Sequence, residues 1–83
     1  MTKLVPLIGT LVTADNLELG REVVRGRDWV AGDQDGGAGN RGILVEKVAG
    51  VPACVYVKWI ETGITQHHRI GSFGKYELCY AGK

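Results

Sequence analysis

The segment from Gly26 to Arg41 constrains this chain more than any other. It holds Gly26, Gly32, Gly36, Gly37 and Gly39 together with Asp28, Asp33 and Asp35, and one large apolar residue, Trp29. Neither the helical nor the strand period runs through it. The residues on either side behave differently. Arg21 to Arg25, carrying Val23 and Val24, reads as a strand, and Gly42 to Val48, rich in β-branched residues, reads as a second. A structureless connection of this length is uncommon in a small domain and is usually functional. Trp29 is expected to pack the loop down onto the core.

The remaining segments continue the β pattern. Ala53 to Ile60 is the strongest strand, because alternation places Val55, Val57 and Trp59 on one face and Cys54, Tyr56, Lys58 and Ile60 on the other. The Val/Trp face is assigned to the core. Glu61-Thr62-Gly63 is a hairpin connection with glycine where φ must be positive. Ile64 to Ile70 is a fourth strand, Gly71-Ser72-Phe73-Gly74 a tight or 3₁₀ turn, and Lys75 to Tyr80 a fifth strand with Tyr76, Leu78 and Tyr80 on one face. Near the N-terminus, Leu4 to Val12 is apolar but interrupted by Pro6 and Gly9, which favours an edge strand or packed tail over a helix. Thr13 to Asn16 reads as a turn.

At 83 residues the chain is a single domain. Thirteen glycines against two prolines suit a small β structure with many tight turns. Five short strands with close turn signals predict an all-β fold, a small five-stranded SH3-like barrel with a long glycine-rich loop after the first strand. Ten Lys+Arg against nine Asp+Glu leave a net charge of +1, which lacks the clustered cations of a nucleic-acid partner. The N-terminal apolar run is too short to cross a membrane and undersized for a signal peptide. Cys54 and Cys79 are expected as free thiols in a reducing compartment.

Several site chemistries are weighed and set aside. Asp33-Gln34-Asp35-Gly36 echoes part of a calcium loop, but the position for the required glutamate falls on Leu44. Asp28, Asp33 and Asp35 are expected instead to accept backbone N–H bonds or to pair with Arg25, Arg27 or Arg41. Gly37 to Gly42 matches a dinucleotide-binding glycine pattern, yet it precedes a strand and opens no helix. His67 and His68 are adjacent on a strand and point to opposite faces, so they do not share a zinc ion; both are expected at the surface or a strand edge. Neither cysteine sits in an activating pattern. No catalytic residue, cofactor or metal is expected. Of the aromatics, Trp29, Trp59, Phe73, Tyr76 and Tyr80 are mostly expected in the core.

The sequence resembles the Mib/Herc2 domain. The resemblance lies in Val23-Val24-Arg25-Gly26-x-Asp28-Trp29-x-x-Gly32-Asp33-Gln34-Asp35-Gly36-Gly37-x-Gly39-x-x-Gly42. It continues in Val55-x-Val57-x-Trp59, Gly63 and Arg69-x-Gly71-x-x-Gly74-Lys75-Tyr76-x-Leu78. Residues 17–83 form the domain-like part, and residues 1–16 are an extension outside it. The sequence departs from the usual pattern at Trp59-Ile60-Glu61-Thr62-Gly63, at His68 where tyrosine is usual, and at Glu77 where aspartate is commoner. The resemblance implies an SH3-like barrel and a non-catalytic protein-interaction module of an E3 ubiquitin ligase, cytoplasmic and monomeric when isolated. Its partner would be a ubiquitylation substrate or regulator. A groove between the Arg25–Arg41 loop and the Gly71–Gly74 turn is expected to take an extended peptide. Trp29 and Phe73 would supply apolar contact there, with Asp28, Asp33, Asp35 and Arg69 as the polar rim. The alternative is a structural module packed against neighbouring domains, without a free ligand.

Overall fold

The computed structural model describes residues 9–82. The part of the expected N-terminal apolar run before Gly9, Pro6 included, lies outside the described residues. Five strands form one antiparallel sheet: β1 (Glu22–Arg25), β2 (Gly42–Lys47), β3 (Cys54–Trp59), β4 (Thr65–Arg69) and β5 (Leu78–Tyr80), in the order β4-β3-β2-β1-β5. A 3₁₀ turn, Ser72–Gly74, precedes β5. Each strand falls inside the segment the alternation predicted. β5 is shorter than expected, because Tyr76 makes only an isolated bridge to Ile70.

The sheet is open. The ends of β4 and β5 approach one another at the Ile70–Tyr76 bridge and through Glu77 N–H donating to the Arg69 carbonyl at 3.0 Å, but no ladder joins the two strands. β2 carries a bulge between Leu44 and Glu46, which turns Val45 outwards and increases the local twist.

One core fills the inner face. Val55, Val57 and Trp59 are fully buried there, as their alternation requires, with Val23, Leu44, Ile70, Leu78 and Tyr80. Gly42 has room for no side chain, since a Cβ would lie 2.4 Å from Val57 and 2.7 Å from the Trp59 ring. Cys54, expected on the outer face, is also buried, because it sits in an apolar recess with Ala14, Leu17 and Ile70. Both cysteines are free.

The segment before the family-like region adds to the same sheet. Gly9 N–H donates to Tyr80 O at 2.8 Å, Tyr80 N–H to Thr10 O at 2.9 Å and Val12 N–H to Leu78 O at 2.9 Å. Val12 is thereby a core side chain. Asn16 then fixes the expected turn, accepting from Thr13 N–H at 2.8 Å and donating to Leu11 O at 2.9 Å. The Tyr80 hydroxyl ties the turn down, donating to Asn16 O at 2.7 Å and accepting from Glu18 N–H at 3.0 Å.

Candidate protein-binding site

The long loop is shaped by contacts that begin at its first residue. At Gly26 the backbone passes so close to β5 that a Cβ would lie 2.8 Å from Leu78 N and 2.9 Å from Glu77 C. Only glycine fits against unyielding main chain. Gly26 N–H donates to Glu77 O at 2.6 Å, and Asp28 N–H to Tyr76 O at 3.1 Å. The Asp28 carboxylate accepts Tyr76 N–H in return at 2.8 Å. That bond, with Arg27 beside it, holds the Asp28 carboxyl below its ordinary pKa.

Deeper in the loop, Asp35 is fully buried. It receives both arms of the Arg25 fork, Nε to Oδ2 at 2.8 Å and Nη2 to Oδ1 at 2.7 Å, and Gly37 N–H at 2.9 Å. Burial opposes its charge, but these donors outweigh burial and leave its pKa lowered. Asp33 also reaches Arg25, at 3.3 Å, with its side chain 84% exposed. The carboxylates therefore pair and cap within the loop as expected, with one difference: Arg41 turns instead to Glu22 at 3.0 Å and to the Gly82 carbonyl.

Trp29 is the hub. Its indole N–H donates to Gly32 O at 2.7 Å, closing the loop on itself. The Arg25 guanidinium lies over its ring, 5.1 Å from the centroid. The ring stacks on His68 at 4.9 Å and meets Trp59 edge-on at 5.3 Å. Half-buried, it joins the loop to the core.

Beneath Trp29 lies a buried polar chain that sequence reasoning missed. His68, expected at the surface or a strand edge, lies on the edge strand β4 yet is 1% exposed; His67 is the exposed member of the pair, since adjacent strand residues face opposite ways. The Trp59 indole N–H can only donate, so its 3.1 Å contact makes His68 Nε2 an acceptor. Nδ1 then carries the proton and donates to Glu77 Oε1 at 3.0 Å. Glu77 Oε2 accepts from Arg69 Nε. Burial pushes the His68 pKa down despite Glu77. Burial opposes the Glu77 charge, but Arg69 and His68 keep its pKa lowered. The signal was present in the two departures at His68 and Glu77, which are partners. The third departure touches the loop as well: Thr62 Oγ1 donates to Gln34 O at 2.7 Å, and the Glu61 side chain packs where a Cβ on Gly36 would lie.

The expected site residues thus divide. Trp29, Asp33, Asp35 and Arg69 belong to one connected set of contacts, with Asp35 sealed inside it, and Asp28 stands beside it on the Tyr76 backbone. Phe73 stands apart. It is not a core residue but 90% exposed, because the turn holds it at φ 55°, ψ 26° and points it into solvent. Gly71 N–H donating to Lys75 O at 2.8 Å and Gly74 N–H donating to Gly71 O at 2.9 Å lock that turn. Among the described residues, no group of three His, Cys, Asp or Glu is placed to hold a metal, and no helix is long and apolar enough to cross a membrane.

Comparison with known proteins agrees with this pattern. The family profile Mib_herc2 matches residues 20–82. E3 ubiquitin-protein ligase HERC2 of Homo sapiens is 39% identical over 65 residues, covering 78% of this chain and 1% of that protein. E3 ubiquitin-protein ligase MIB2 of Gallus gallus is 40% identical over 68 residues, covering 76% of this chain and 7% of that protein. The chain therefore spans a small fraction of the relatives it matches, and corresponds to one module within E3 ubiquitin ligases. With the loop signature, the glycine contacts and the profile in agreement, this chain belongs to the Mib/Herc2 family.

Proposed function

We propose that this chain is a non-catalytic protein-interaction module of an E3 ubiquitin ligase, recruiting a substrate or regulatory protein through an extended peptide segment. The observation that carries the reading is Phe73. A bulky residue in the left-handed region costs on the order of 1–3 kcal/mol and clusters at functional sites. Here that conformation holds a large apolar side chain in water, where it adds nothing to folding. Strain without internal benefit favours a role toward a partner. Trp29, Asp28, Asp33 and Arg69 would extend the surface, with Asp35 setting the loop's shape from beneath. We read the approach of β4 and β5 as the curl of an SH3-like barrel, and the cytoplasm as the place of action.

The test is the full-length parent ligase carrying Phe73→Ala, compared with the unaltered protein by quantitative ubiquitin-remnant proteomics. Loss of a defined set of ubiquitylated proteins at unchanged ligase abundance is expected. An unchanged profile sinks the reading. The same exposed Phe73 also suits a structural module packed on a neighbouring domain. In that case the turn amides would be protected from exchange in the parent protein with no partner present.

A further inference from the structure

The two edges of the sheet are finished differently. The outer edge of β5 is occupied by the chain itself, through Gly9, Thr10 and Val12. β4 has no such cover. The bonds at the two ends of its ladder, Trp59 N–H to Ile64 O and Ile70 N–H to Ala53 O, both at 2.8 Å, fix which residues exchange bonds with β3. Directly opposed residues alternate in an antiparallel pair. Gln66 and His68 therefore bond to β3, while Thr65, His67 and Arg69 aim their N–H and C=O groups away from it. The Arg69 carbonyl is taken by Glu77 N–H at 3.0 Å. Among the described residues, the main-chain groups of Thr65 and His67 have no partner, and both residues are exposed. β4 carries no proline, no lysine and no register shift against β3, and its one charged residue, Arg69, is turned to Glu77.

We propose that the β4 edge at Thr65–His67 takes an extended acidic segment of a partner protein by strand addition. This rests on the protein-interaction reading and specifies its mode. Two residues with open N–H and C=O groups offer four main-chain hydrogen bonds, enough to set the direction and register of a short segment. The chemistry of that segment follows from charge. Arg69 is already held by Glu77, but Lys58 and Lys75 have no ion pair among the described residues, and the acidic residue of the β3–β4 hairpin is Glu61 alone. Lys58 stands opposite Thr65 and Tyr56 opposite His67, so Lys58 and His67 share the outward face beside the open edge. Alternate acidic side chains on an added strand meet that face. A second copy of this chain would bring its own Lys58, not an acidic group, to the same face.

The experiment selects heptapeptides from a displayed random library on the full 83-residue chain. The selected peptides are then measured against Thr65→Pro and His67→Pro. Because those N–H groups face away from β3, proline removes the outward donor and spares the ladder. Selected peptides should carry Asp or Glu at alternate positions. They should slow amide exchange at Thr65 and His67 and lose about tenfold or more in affinity for the proline variants. Where a proline variant fails to fold, the exchange measurement on the unaltered chain decides. Peptides that bind without slowing either amide overturn strand addition and leave the interaction reading standing. Failure to select any peptide overturns both. Slowing that grows with protein concentration in the absence of peptide assigns the edge to a second copy and overturns the proposal.

Discussion

The glycine loop around Trp29 and the glycine turn around Phe73 use similar residues to opposite ends. Each holds an aromatic among glycines with positive φ. In the loop, the aromatic ring and two of the three aspartates turn inward: Trp29 onto His68 and Trp59, Asp35 onto Arg25, Asp28 onto Tyr76. In the turn, hydrogen bonds between Gly71 and Lys75 lock the backbone so that Phe73 points out. A long aperiodic segment is thus the more internally bonded of the two, and a four-residue turn is the one that presents its aromatic ring to solvent, although the loop leaves Val30 exposed. Loop length alone is a poor guide to which segment is free to meet a partner.

The contrast is broken most sharply at Trp29. Trp29→Ala removes the stack on His68, the edge contact with Trp59 and the bond to Gly32, and should cost about 3 kcal/mol. That is a large fraction of a small domain's stability. Urea denaturation should show a strongly lowered midpoint; an unchanged midpoint would mean the loop is not anchored through this ring. Asp35→Asn leaves the Arg25 guanidinium with only the exposed 3.3 Å contact to Asp33. Breaking a buried pair is costly, but Arg25 keeps some water, so the loss should be about 2 kcal/mol. Calorimetry on the variant checks it, and amides from Asp33 to Gly37 should exchange faster.

The third prediction concerns pH. His68 has its folded pKa below the ordinary histidine value, so the unfolded chain binds a proton that the folded chain resists. Stability should be full above the ordinary histidine range and fall as pH drops from about 6.5 toward the lowered folded value. A separate decline should follow in the acid range, where Asp28, Asp35 and Glu77, all lowered, lose charges that the fold favours. Unfolding midpoints across pH should show both steps. His68→Gln, whose amide oxygen can still accept from Trp59, should flatten the first step and leave the second. A first step that persists in this variant would place the titrating group elsewhere.

Much of the loop and little of its underside was legible in the sequence. Alternation found the strands and the buried face of β3, because period two is a local signal that Val55, Val57 and Trp59 carry among themselves. The hairpin glycine was legible for the same reason, and Gly63 has φ 73°. That the loop's aspartates bind backbone N–H groups or nearby arginines was legible from their neighbours, but not that Asp35 takes Arg25. The buried position of His68 was not foretold, because its partners Glu77, Trp59 and Trp29 come from three other segments. The edge strand or packed tail expected over Leu4–Val12 is present at Gly9–Val12, but its partner β5 was not legible, because the pairing joins residues more than 60 apart in sequence, as the 64-residue separation of Asn16 and Tyr80 illustrates. Phe73 was misjudged as a core candidate since a lone aromatic in a glycine turn has no periodic context. Its orientation is set by a single backbone conformation.

The most direct test of the contrast is Phe73→Gly. Glycine adopts positive φ freely, so relieving the strain should raise stability by about 1 kcal/mol. Urea unfolding of the variant, run beside ubiquitin-remnant profiling of the proposed full-length ligase, gives both readings. The account predicts a slightly higher unfolding midpoint together with loss of partner-dependent ubiquitylation. A lowered midpoint with ubiquitylation intact would show that Phe73 serves the fold, and would contradict the account.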